Sequence, residues 1–133
     1  MKIMLDTNVL ISAMVFGGKA RTVLLALIST DNKIYVSDYV AKEFSEKVQQ
    51  KWPNKADRLL VLFYSLPVCF CESSQIIQGE LRDEKDIPVL SDALYHKVDI
   101  ILTGDKDFLE AELEKPLIYS INMLEEFLTR EKL

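Results

Sequence analysis

The chain opens with Lys2-Ile3-Met4-Leu5, a short run apolar on consecutive positions that stops at Asp6-Thr7-Asn8. A strand wet on one face alternates apolar and polar residues, so a run without alternation marks a strand covered on both faces. Comparable short runs recur at 33–36, 68–71, 99–102 and 117–120. Strands alternating with helical segments, with the strands short and nearly all apolar, specify an open parallel sheet. The expected architecture is α/β, a three-layer α/β/α sandwich with a central parallel sheet of about five strands. With 133 residues, enough for one core, residues 1–133 are expected to form a single domain.

The segments between these runs carry helical spacing. Val9 to Phe16 forms a first stretch, stopped by Gly17-Gly18. Ala20 to Ser29 follows with Val23, Leu24, Leu27 and Ile28 on one face. Ser37 is placed as an N-cap with Asp38 in the first turn. The helix behind it carries Val40, Phe44 and Val48 at i, i+4 and i+8 and stops at Trp52-Pro53. Lys55 to Ser65 presents Leu59, Leu62, Phe63 and Leu66, and Ile87 to His96 presents Val89, Leu90, Ala93 and Leu94. Residues 122–130 close the chain as a helix. The polar stretch from Glu72 to Lys85 is loop-like, with a short irregular strand at Gln75 to Gln78 as an option.

In open parallel sheets, ligands bind beyond the carboxyl ends of the strands, where the strand order reverses. The informative question is what each strand delivers there. The first delivers Asp6, Thr7 and Asn8. The second delivers Ser37 and Asp38 and then Glu43, which at about 100° per residue lies at the margin of the buried helix face. The fourth delivers Thr103, Gly104 and Asp105, with Asp107 close by. The helix leading into it begins at Asp86, just after Asp83 and Glu84. Each acid alone has a bland explanation: Asp6, Asp86 and Asp105 sit where helix caps belong, and Glu43 can be an ordinary solvated glutamate. Together, converging carboxylates raise one another's pKa values, and a hard divalent cation such as Mg²⁺ or Mn²⁺ relieves that repulsion. Two such ions can activate a water and stabilise a leaving oxygen in phosphodiester cleavage. His96 is the only histidine, and Cys69 and Cys71 alone make no metal site. Both cysteines are expected to be small buried hydrophobes.

Four segments, taken in order, resemble the PIN-domain nucleases. They are Leu5-Asp6-Thr7-Asn8-Val9-Leu10, Ser37-Asp38-Tyr39-Val40-Ala41-Lys42-Glu43-Phe44, the stretch from Arg82 to Ala93, and Leu102-Thr103-Gly104-Asp105-Lys106-Asp107-Phe108. The pattern is similar to the toxin members of toxin–antitoxin systems, the VapC-like group. This resemblance implies Mg²⁺- or Mn²⁺-dependent endoribonuclease activity, hydrolysing RNA phosphodiester bonds. It implies Asp6, Glu43, Asp86 and Asp105 as the catalytic, metal-binding acids. It further implies Thr7 and Thr103 as hydroxyls that orient them, Asn8 in support, and Asp83 and Asp107 as neighbouring acids. Its expected partners are an RNA substrate and an antitoxin protein.

The formal charge of −5, taken alone, argues against a nucleic-acid partner. Setting four site acids aside leaves the surface nearly balanced. Lys42, Lys47 and Lys51, with Lys55 and Arg58, follow one another around the helix of Glu43 and suit RNA phosphates, although a solvated face explains them equally. Apolar residues on Ala20 to Ser29 and Lys55 to Ser65 allow a homodimer or an antitoxin groove, although packing on the sheet explains the same stripes. No apolar run approaches the ~20 residues of a membrane span, so a cytoplasmic location without a membrane partner is expected. Two other readings remain. A non-catalytic PIN-fold module would bind RNA or protein without cutting. An aspartate-based phosphatase is disfavoured because Asn8 stands where that chemistry needs a second aspartate.

Overall fold

The computed structural model describes residues 1–73, 86–110 and 116–131, with the side chains at 86, 87, 106, 107 and 131 outside the described set. Among the described residues, five strands run β1 (Lys2–Leu5), β2 (Lys33–Ser37), β3 (Cys69–Cys71), β4 (Ile100–Leu102) and β5 (Leu117–Tyr119). All pair in parallel, in the order β3-β2-β1-β4-β5. The chain therefore steps outward from β1 to β3, then crosses back to lay β4 against the free side of β1. Strand order reverses between β1 and β4, so their carboxyl ends form the crevice of this sheet. Ile3, Met4 and Leu5, and Ile100, Ile101 and Leu102, are buried, as unalternating strands between helical layers must be.

The first helical stretch, expected over Val9 to Phe16, starts at Thr7 and has two parts. α1 (Thr7–Ile11) is followed by a π-helical turn over Ser12–Phe16, closed by the Gly17 N–H to the Ser12 carbonyl at 2.8 Å. Gly17 has φ +80°, which glycine adopts without the cost a side chain incurs. The Arg21 guanidinium donates to the carbonyls of Ala13 and Met14, satisfying acceptors that the broken ladder leaves open. α2 (Gly18–Ile28) then packs inward through Ala20, Val23, Leu24 and Leu27.

α3 (Asp38–Lys51) is capped as expected, with the Ser37 hydroxyl accepting from the Val40 N–H at 3.2 Å. Its buried face is Val40, Phe44 and Val48, and Phe44 stacks on Phe63 of α4 (Ala56–Tyr64) with ring centroids 4.4 Å apart. α5 (Asp86–Tyr95), α6 (Lys106–Leu109) and α7 (Ile121–Glu131) complete the described helices. No single helix among the described residues is long and apolar enough to cross a membrane.

Three expectations about packing need correction. Leu62 on α4 and Leu94 on α5 are exposed, each at the shoulder of its stripe and uncovered among the described residues. Cys69 is also exposed, since β3 is the last strand of the sheet, while Cys71 is buried; both are free thiols. The possible strand at Gln75 to Gln78 lies outside the described residues.

Candidate active site

The crevice is stitched together by side chains from both of its strands. The backbone N–H of Asp6 donates to the Leu102 carbonyl at 3.0 Å, which aligns the two strand ends. The Thr103 hydroxyl donates to Asp6 Oδ2 at 2.7 Å, and the Gly104 N–H donates to Asn8 Oδ1 at 3.1 Å. Asp6 also caps α1, its Oδ1 accepting the Thr7 N–H at 2.8 Å. The capping role and the site role thus fall on one carboxylate, one oxygen to each.

Asp6 is 7% exposed. Burial pushes its carboxyl above the ordinary carboxylate range. The bonds from Thr103 and Thr7 pull it back, and the negative charges of Glu43 and Asp105 push it up again. Those last two causes place Glu43 and Asp105 within electrostatic reach of Asp6. Glu43 arrives on α3, which packs against α1. Its side chain is 26% exposed and meets Lys47 Nζ at 3.9 Å, one turn along the helix. Asp105 is held by its own turn: its N–H donates to the Thr103 hydroxyl at 3.1 Å and its Oδ1 accepts the Phe108 N–H at 3.3 Å.

The two threonines differ. Thr103 makes the bond that orients Asp6, whereas the Thr7 hydroxyl is buried with no hydrogen-bond partner among the described residues. Asp86 is the first residue of α5, and Asp107 lies in α6, but the side chains of both are outside the described set; Asp83 lies outside the described residues altogether. Lys42 and Lys51 are exposed on α3 and Lys47 is half-buried.

Among the described residues, no group of three or more His, Cys, Asp or Glu side chains is arranged to hold a metal ion. The donor chemistry nevertheless fits a hard cation. Asp6, Glu43 and Asp105 offer only oxygens, their mutual repulsion opposes ionisation of the buried member, and the buried hydroxyl next to it has no partner among the described residues.

One buried acid escapes the reading by strand ends. Asp92 on α5 is buried, and its charge, with those of Cys69 and Asp38, adds to the burial that pushes the Cys71 thiol up to about 12. The signal was present in the sequence: Asp92 sits three residues after Val89 and one before Ala93, near the inward stripe of its helix.

The family model for the PIN domain matches residues 2–107, from β1 to the start of α6. The chain belongs to the PIN-domain family. Solved structures share the PIN fold of this chain. One is VapBC2 from Rickettsia felis bound to a DNA fragment from their promoter, 21% identical, with 90% of this chain and 98% of that chain covered and a TM-score of 0.73. Another is VapC20 from Mycobacterium tuberculosis, described as a Sarcin-Ricin loop cleaving toxin, 11% identical, with coverage of 74% and 86% and a TM-score of 0.56. At these identities the likeness bears on the fold. No curated protein matches the chain by sequence. The crevice of this PIN domain is the natural place to look for its chemistry, because the two strands that meet there carry the carboxylates.

Proposed function

We propose that this PIN domain is a metal-dependent endoribonuclease that hydrolyses RNA phosphodiester bonds, and that it is the toxin of a toxin–antitoxin pair acting in the cytoplasm. The observation that carries the reading is the buried Asp6 carboxylate, held by Thr103 across the strand-order reversal and pressed by the charges of Glu43 and Asp105. A buried acid burdened by like charges is a poor structural element and a good cation ligand. Asp6, Glu43, Asp86 and Asp105 would hold Mg²⁺ or Mn²⁺. The chemistry such an ion supplies when bound is neutralisation of charge on the phosphodiester and a more acidic attacking water.

The chain's own residues do the rest. Thr103 and the Thr7 N–H each hold one oxygen of Asp6, so the carboxylate is oriented before any ligand arrives. Asn8 ties the Gly104 turn to the first helix and so fixes the approach of Asp105. Lys47, beside Glu43, and Lys42, one residue before it, supply positive charge to RNA phosphates, with Lys51 farther along α3. Thr7, Asp83 and Asp107 are placed in support.

The description of the Mycobacterium tuberculosis neighbour as a Sarcin-Ricin loop cleaving toxin supports an RNA substrate. The VapBC2 setting of the Rickettsia felis neighbour supports an antitoxin partner. For that partner, or for a homodimer, Leu25, Val61 and Leu62 offer exposed apolar contacts on α2 and α4.

The test is cleavage mapping of total RNA by the wild type and Asp6→Asn, in Mn²⁺ and then in EDTA. Cleavage by the wild type in Mn²⁺ alone is expected. Full activity of the variant, or of the wild type in excess EDTA, would overturn the proposal.

A further inference from the structure

Along one flank of α3, a surface groove of about 640 Å³ is bounded by Asp38, Lys42, Ser45 and Glu46, with Tyr64 of α4 and Phe70 of β3 opposite. Asp38, Lys42 and Ser45 follow at i, i+4 and i+7 and so share one helix face. Tyr64 and Phe70 are both exposed, and their rings lie 5.5 Å apart at a 38° tilt. Both rest on the buried Phe63, at 4.9 and 5.4 Å. The result is an aromatic platform fixed from below and open above. Among the described residues, Asp38, Lys42 and Glu46 enter no ion pair.

Chemistry narrows the occupant. Two carboxylates against one lysine repel a phosphate from the groove itself. A flat ring that stacks on aromatic side chains and presents hydrogen-bond donors at its edge satisfies both halves of the lining. Among nucleobases, guanine carries adjacent N–H and NH₂ donors, which one carboxylate accepts together, whereas the carbonyls of uracil would meet these acids unfavourably. Lys42, at the lip, is free to meet the phosphate of the same nucleotide. β3 stands two strands from β1, so the groove lies on the order of 10 Å from Asp6 along the sheet, within reach of a short run of nucleotides.

We infer that this groove is a subsite for an unpaired guanine of the RNA substrate, flanking the bond that is cut. The inference rests on the ribonuclease reading above and adds a base preference to it.

Binding is read by fluorescence anisotropy with the Asp6→Asn protein in EDTA, using labelled oligouridine with or without a single guanosine or inosine. Tighter binding of the guanosine oligomer is expected, with inosine intermediate because it lacks the amino group. Tyr64→Ala and Phe70→Ala are expected to weaken guanosine binding about tenfold and to remove the preference. Tyr64→Phe, which keeps the ring, should retain affinity, and Glu46→Gln should lower the preference with little loss of overall binding. Equal binding of all oligomers, no binding at all, or unchanged binding by Tyr64→Ala, whose ring is the more exposed, would overturn the inference. So would light scattering that shows a dimer dissolved by Tyr64→Ala, since a second copy would then be the occupant.

Cleavage of the same oligomers in Mn²⁺ by proteins with Asp6 intact separates the two readings. RNA cut equally well with and without the Tyr64 ring removes the groove and keeps the nuclease. Ring-dependent guanosine binding without any cleavage removes the nuclease reading and keeps the groove.

Discussion

Thr103 donates its hydroxyl proton to Asp6 Oδ2 at 2.7 Å and accepts the Asp105 N–H at 3.1 Å, so one side chain ties the β1 carboxylate to the turn that carries a second acid. Thr103 is fully buried, and its loss could not be made good by solvent. Thr103→Val keeps the shape and removes both the donor to Asp6 and the oxygen that accepts from the Asp105 N–H. A cost of about 1–3 kcal/mol in stability is expected, together with a further rise of the Asp6 pKa and weaker Mn²⁺ binding by calorimetry. Thr103→Ser should restore most of both. Equal Mn²⁺ affinity in the valine and serine variants would show that the hydroxyl does not orient the site.

Asp6 itself lowers the stability of the metal-free protein at neutral pH. Its folded pKa is raised, chiefly by burial, so the native state binds a proton more tightly than the unfolded chain does. Stability contributed by this group is therefore present below the ordinary carboxylate value and lost as pH rises through the raised, folded one. Asp6→Asn removes that loss and keeps an acceptor for the Thr7 N–H, but its amide NH₂ stands where an oxygen accepted from Thr103, a cost that does not change with pH. In EDTA the melting temperature of the variant relative to the wild type should therefore rise from acid to neutral pH. Saturating Mn²⁺ should favour the wild type, adding about 2.7 kcal/mol to it at a hundredfold excess over Kd and little to the variant. Scanning calorimetry with and without Mn²⁺ checks both halves.

Much of this was legible in the chain before its folding was known. Apolar runs locate the strands because a doubly covered strand has no wet face to encode. Ser37 and Trp52-Pro53 bound α3 because capping and proline act locally. The pairing of Asp6 with Thr103 was harder. It depends on β4 crossing back beside β1, a choice made by the whole sheet and by no single spacing. The π-helical turn was illegible because apolar spacing marks the buried residues, Leu10 and Ala13 among them, while the turn is defined by its backbone bonds, such as that from Gly17 to Ser12. Thr7 and Thr103 look alike in sequence, each beside a strand-end aspartate, yet only one bonds to Asp6 through its hydroxyl.

The placement of Glu43 depends on the packing of its neighbour Phe44. Phe44 is fully buried against Phe63, and it anchors the turn of α3 that brings Glu43 toward the crevice. Phe44→Ala should cost about 3–5 kcal/mol, seen as a lowered urea midpoint. Leu62→Ala, at an exposed position on α4, should shift it by no more than about 0.5 kcal/mol. Comparable losses at the two positions would mean that the Phe44–Phe63 stack is not the centre of this layer.

Lysines on α3 differ in what they can offer RNA. Lys42 is exposed beside Glu43, and Lys47 is drawn toward the Glu43 carboxylate at 3.9 Å. Lys51 stands eight residues beyond Glu43, about 12 Å along the helix at its rise of 1.5 Å per residue. A lysine that touches a phosphate releases a counterion, so its removal lowers the salt dependence of binding by about 0.7 in log–log slope for a single strand. Lys42→Ala and Lys47→Ala are each expected to show that change, measured by anisotropy across a salt series with the Asp6→Asn protein. Lys47→Ala should also leave Glu43 less neutralised and so raise Mn²⁺ affinity, in proteins with Asp6 intact, while weakening RNA, a split that a purely structural lysine would not produce. Lys51→Ala should change the slope less than either, because its distance places it at the far end of a strand bound at the crevice. A full slope change at Lys51 with none at Lys42 would mean that RNA runs along the far end of α3, away from the strand-end acids.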